Sequence, residues 1–247
     1  MSLMNRKNVT SLKGKVLAAA ATVTIVGGLG TAGTLSANAA TPECGDSCIQ
    51  IYSATFGTSE RPNLVETVYR GVARAGQPTA MHPVSTSDPA GDIVGHRAGQ
   101  VSDFYKDGLV SAEVNKHYGT LRAVEVEYAP HGKRTCLCAG LAHTAYQDEG
   151  LTLQKCDTPG RTVWIIDTAD SPATAPQGHF PLVSGATTNF AHPYAMTVTR
   201  GGHQHHGHGH GHAHHGHRTA VPLQIRVTRL MGNPSHVPAG QLWGTTK

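Results

Sequence analysis

Nine histidines stand within fifteen residues of this chain: His203, His205, His206, His208, His210, His212, His214, His215 and His217. Most residues between them are glycine. A neutral imidazole nitrogen is a good ligand for Zn2+, Ni2+ and Cu2+ near neutral pH. Glycine lets the backbone bend so that two or three rings can converge on one ion. A structural zinc site wants four defined ligands at fixed spacing, and this run has no such order. The expectation is therefore a disordered, low-complexity insertion at residues 201–218 that takes transition-metal ions without one set geometry. No cofactor is required, and Zn, Ni or Cu are the candidate ions for the loop.

Cysteines are the second group able to do chemistry, and their compartment decides what they do. Arg6, Lys7, Lys13 and Lys15 precede an apolar, small-residue segment that ends in Ala37-Asn38-Ala39. This pattern predicts a signal peptide over residues 1–39 and a secreted mature chain over residues 40–247. The apolar segment is only weakly hydrophobic and no basic cluster follows it, so no stable membrane insertion is expected after cleavage. Disulfides persist outside the cell. Cys44 and Cys48 can close a small loop, and Cys138 and Cys156 bracket a strand-turn-strand unit and make the natural second pair. Cys136 is then the odd thiol, read as inert and buried. It can also replace Cys138 in the pair, and the sequence leaves that choice open.

Charge excludes one class of partner. The whole chain carries 20 Lys+Arg against 16 Asp+Glu, but four of the basic residues and none of the acidic ones lie in the leader. The mature portion is balanced and has no basic cluster, so no nucleic-acid partner is expected. Catalytic motifs are missing as well: there is no G-x-S-x-G elbow, H-E-x-x-H, phosphate loop or dinucleotide fingerprint. His82, His96, His117, His143, His179, His192 and His236 are scattered through turn-rich sequence. A non-enzymatic protein is expected.

Positioning these groups falls to short strands. Apolar alternation recurs between Gly, Pro, Ser and Asp clusters, and long 3.6-period runs are lacking, which predicts an all-β domain. Val124, Val126 and Tyr128 should face one way, and Ala123, Glu125 and Glu127 the other. The two glutamates read as a solvated strand face and not as a catalytic pair. The stretch around 101–118 reads equally as helix, with Ser102 as cap, or as strand and turn. Residues 136–167 read as two strands cross-linked by a disulfide, followed by a strand burying Trp164.

The Cys138–Cys156 spacing, with Leu151 and Leu153 alternating before the second cysteine, Trp164 after it and a literal Gln241-Leu242-Trp243 at the end, resembles the ricin-B-type β-trefoil lectins. The mature chain is also similar to uncharacterised secreted bacterial proteins that end in a like segment. The resemblance implies a single β-trefoil-like domain, interrupted by the histidine loop, that binds carbohydrate or a cell-surface polymer. Gln241 and Trp243 are the ligand-binding residues it implies. In the lobe at Cys138, Gly140, Gln154 and Arg161 stand where sugar-binding members keep an aspartate, an aromatic and an asparagine, and Thr162 replaces the motif glutamine. The expectation is a secreted lectin-like binding protein. The alternative is an extracellular transition-metal protein acting through its histidines.

Overall fold

Alternation between turn residues does produce strands throughout. A computed structural model describes residues 48–58, 61–84, 92–169, 174–199, 223–230 and 236–246. In chain order the strands begin with β1 (Cys48–Ser53), β2 (Leu64–Val68), β3 (Thr79–Pro83) and β4 (Ile93–Gln100). Two helices follow, α1 (Val101–Lys106) and α2 (Ala112–Tyr118). Then come β5 (Arg122–Tyr128), β6 (Leu137–Gly140), β7 (Glu149–Gly150), β8 (Thr152–Lys155) and β9 (Trp164–Ile166). The last are β10 (Leu182–Ser184), β11 (Tyr194–Thr199), β12 (Leu223–Arg229) and β13 (Trp243–Thr246). The all-β expectation holds.

The β-trefoil expectation does not. Nine strands pair in one antiparallel circuit, β1–β2–β3–β12–β11–β10–β9–β5–β4 and back to β1, which closes a barrel. A trefoil needs three equivalent lobes, and the two tryptophan strands are not equivalent here. The strand of Trp164, β9, is a member of the ring, paired with β5 on one side and β10 on the other. The strand of Trp243, β13, lies off the circuit on β1, with one further bridge to Phe180. Closure of the ring, not threefold repetition, removes the open strand edges.

Alternation then divides most buried apolar side chains into two cores, and Val68, Tyr128 and Leu153 form a third, small cluster. Ile51, Met81, Ile93, Val126, Trp164, Met196, Ile225 and Trp243 belong to the larger, with residues from every side of the ring. On the opposite face of β5, β9 and β10, Ala123, Ile165 and Val183 pack against Val101, Phe104, Val114 and Tyr118 of the two helices. That burial settles residues 101–106 and 112–118 as helical, with a turn between them. Ser111 caps α2 by accepting from the Val114 amide at 3.2 Å, while Gln100, not Ser102, stands at the N-cap of α1.

The leader, Cys44 and the nine tract histidines lie outside the described residues. The strands on either side of the tract pair with each other from Tyr194↔Arg229 to Thr199↔Gln224.

Candidate functional site

Glu125 and Glu127 face away from the barrel core, as their parity on β5 requires, yet they are not solvated. Glu125 is 0% exposed and Glu127 1%. The reading of a solvated face fails because β6 and β8 form a hairpin hung from β5 at Glu127↔Cys138, and the turn after β8 covers what the hairpin leaves. Burying a carboxylate demands partners. Glu125 Oε1 accepts from the Thr162 hydroxyl and from the Asp157 amide at 3.0 Å. Glu127 Oε1 accepts from the Cys136 amide at 2.6 Å, and its Oε2 meets Arg134 at 3.3 Å and His96 Nδ1 at 2.9 Å. Among the described residues no donor reaches the buried Glu125 Oε2.

His96 reaches this site through a bulge. The β4–β5 register runs Gly95↔Val126 and then Arg97↔Glu125, so His96 is the extra residue between two regular pairs. In an unbroken strand the neighbours His96 and Arg97 would point to opposite faces. The bulge re-aims them. His96 lies between Glu127 and Asp157, the latter at 3.4 Å, while Arg97 pairs with Asp107 and stands 3.9 Å from Asp157.

Two further positions frame the cluster with left-handed backbone: Cys136 at φ 57° and Asp157 at φ 56°. Each is followed or preceded closely by a cysteine of the Cys138–Cys156 disulfide, which is present as expected. Its sulfurs lie against the same histidine, since a ring nitrogen of His96 and both sulfur atoms fall within 4.8 Å of one another. Cys136 is a free thiol but exposed, not buried, because the chain turns out of the hairpin there. Burial pushes the Glu125 carboxyl above its usual range; hydrogen bonds from the Thr162 hydroxyl and the Asp157 amide only partly offset this, and the neighbouring Asp157 carboxylate adds to it. Burial lowers the His96 pKa, but hydrogen bonds to Glu127 and Asp157 outweigh it and leave the ring more basic than usual.

The donor atoms of His96, Glu125 and Asp157 also lie within 4.8 Å of one another. These residues escaped the sequence reading. His96 was one of several scattered histidines, and the glutamates were assigned to solvent. One signal was available: Gly95-His96-Arg97 puts two adjacent cationic residues after a glycine, which breaks the alternation of β4.

The residues singled out by the lectin resemblance sit elsewhere and are enclosed. Trp243 is 0% exposed and its indole N–H donates to the Met196 carbonyl at 2.8 Å. Gln241 is 2% exposed, and its amide donates to the Arg229 carbonyl at 2.9 Å and contacts the hydroxyls of Thr197 and Thr228. Trp164 is bound likewise, to the Ala139 carbonyl at 2.9 Å. Gly140 serves close packing: a Cβ there would sit 2.6 Å from the Arg161 carbonyl oxygen. Cys48 is disulfide-bonded, and Cys44 lies outside the described residues. No family model and no curated protein matches the chain.

Proposed function

We propose that this chain is a secreted, non-enzymatic binding protein whose ligand is a divalent first-row metal ion, Zn2+ foremost, held by His96, Glu125 and Asp157. The observation that carries the reading is the convergence of one imidazole and two carboxylates within 4.8 Å, with Glu125 Oε2 buried and unpartnered. Zn–N and Zn–O bonds are about 2.0–2.2 Å, so two ligands of one tetrahedral ion stand roughly 3.4 Å apart. His96 Nε2 and Asp157 Oδ2 already have that spacing, at 3.4 Å. Charge favours the same reading. With His96 cationic, as its raised pKa favours, the carboxylates of Asp107, Glu125, Glu127 and Asp157 outnumber the cations Arg97, Arg134 and His96 by one, and by two once an ion displaces the ring proton. A divalent cation cancels that excess.

The histidine tract remains a second, looser place for the same ions on compositional grounds. No observation favours a sugar. Stacking needs an exposed aromatic face, and Trp243 offers none.

Calorimetric titration of Zn2+ separates the two metal sites. The intact chain, a variant lacking residues 203–217, and that variant with His96→Ala are compared. The tract-less protein should keep one ion, and His96→Ala should weaken it at least about tenfold, since losing even an outer-shell partner costs that much. If the tract-less protein takes no ion, the cluster is only a network of ion pairs and the proposal fails.

A further inference from the structure

The disulfide beside His96 bears on what the site binds, and this inference rests on the metal reading above only in sharing that histidine. A disulfide sulfur is a poor metal donor, whereas a thiolate is among the best for Zn2+. Cys138 stands across from Glu127 in the β5–β6 pairing, and Cys156 immediately precedes Asp157. One His96 ring nitrogen lies within 4.8 Å of both sulfurs.

We infer that the Cys138–Cys156 disulfide masks a thiolate zinc site, in which the two freed sulfurs bind Zn2+ together with His96. Opening it consumes two electrons and two protons, supplied by a dithiol that is itself oxidised to its cyclic disulfide. Thiolate attack on one sulfur gives a mixed disulfide, and the second thiol of the reductant displaces it. When the ion enters, the two cysteine thiols give up their protons to solvent, and with His96 they make three protein donors that leave the fourth position to water.

The hairpin keeps the donors together after the bond is broken. Its strands pair from Leu137↔Lys155 to Gly140↔Thr152, and the Cys156 amide donates to the Cys136 carbonyl at 3.1 Å. The Cα atoms of the two cysteines, 4.9 Å apart, are held by this ladder and not by the disulfide alone. Oxidised, the site offers nitrogen and oxygen to an ion; reduced, it offers sulfur, which selects zinc over harder ions such as Mg2+ or Mn2+.

Co2+ serves as the probe, because thiolate-to-cobalt charge transfer gives an absorption that histidine and carboxylate ligands cannot give. The full chain carrying Cys136→Ser, which prevents pairing with the third thiol, is titrated in oxidised and dithiol-reduced forms with free thiols counted in each. The reduced form should develop the band to one equivalent and lose it to added Zn2+, while the oxidised form shows none. Cys138→Ser should abolish the band, replacement of Cys44 and Cys48 by serine should keep it, and His96→Ala should weaken Co2+ binding at least about tenfold. Alkylating the two freed thiols of the reduced variant that also carries serine at positions 44 and 48 gives the same comparison if Cys138→Ser does not fold. Absence of the band on reduction, or its survival in Cys138→Ser or after alkylation, overturns the inference. Zn2+ binding to the oxidised protein is measured separately, so either reading can fail without the other.

Discussion

The corner at Gln241 and Trp243 and the cluster at His96 and Glu125 are both buried polar sites on one barrel, and they differ in completeness. At the corner, Gln241 donates to the Arg229 carbonyl and to two threonine hydroxyls, and the Trp243 indole is bound to Met196. Such groups stiffen a fold and have little left to offer a ligand. At the cluster, Glu125 keeps one oxygen buried without a partner, among carboxylates that outnumber the guanidiniums beside them. An unsatisfied buried carboxylate costs stability unless it is protonated or meets a cation. Saturation marks the residues that build the molecule, and deficit marks those able to bind.

Glu66 carries the deficit to its limit and gives the largest expected effect. It is 2% exposed, its two oxygens have no partner, and burial pushes its carboxyl from the usual 4.5 up to about 8. Between those values the folded protein holds a proton that the unfolded chain has released, so stability falls as pH rises through that window. The whole window is worth on the order of 4 kcal/mol. Urea unfolding at pH 5 and pH 8 should show this loss in the natural protein, and Glu66→Gln should flatten it. An unchanged slope in the variant would mean that Glu66 is not a lone buried carboxyl.

Gln241→Ala comes next. It strips the donor from the Arg229 carbonyl and should cost about 1–3 kcal/mol in the same unfolding experiment, with Zn2+ binding unaltered. A loss of metal binding without loss of stability would reverse the contrast between the two regions. The smallest change in stability is expected for Glu125→Gln, which retains an acceptor for Thr162 and the Asp157 amide while removing a charge that burial disfavours. Its unfolding free energy should stay within about 1 kcal/mol of the natural protein. Zn2+ affinity should nevertheless fall, and a variant that binds as tightly would remove Glu125 from the ligand set.

Much of this was legible in the chain itself. The period-two pattern of β5 and β12 depends on local sequence, and it identified strands, their facing residues and the all-β class. The spacing of Cys138 and Cys156 around one hairpin made them the natural pair, because a strand-turn-strand unit brings its own ends together, and the tertiary structure decided between Cys138 and Cys136. What alternation cannot express is which of a strand's two faces another element will cover. Glu125 and Glu127 read as solvated because nothing local announces that the β6–β8 hairpin and the turn at Asp157 will close over them. Nor does a one-residue bulge leave a periodic trace, so His96 could not be aimed from its neighbours. The barrel was likewise beyond local pattern: the cysteine and tryptophan spacing fits one lobe equally well in a trefoil, and only the pairing of β4 with β1 and of β12 with β3 closes nine strands into a ring. Sequence by itself determined the strands and the ligand-capable residue types. Contacts between residues far apart in the chain decided which carboxylates were stripped of water and brought against one histidine.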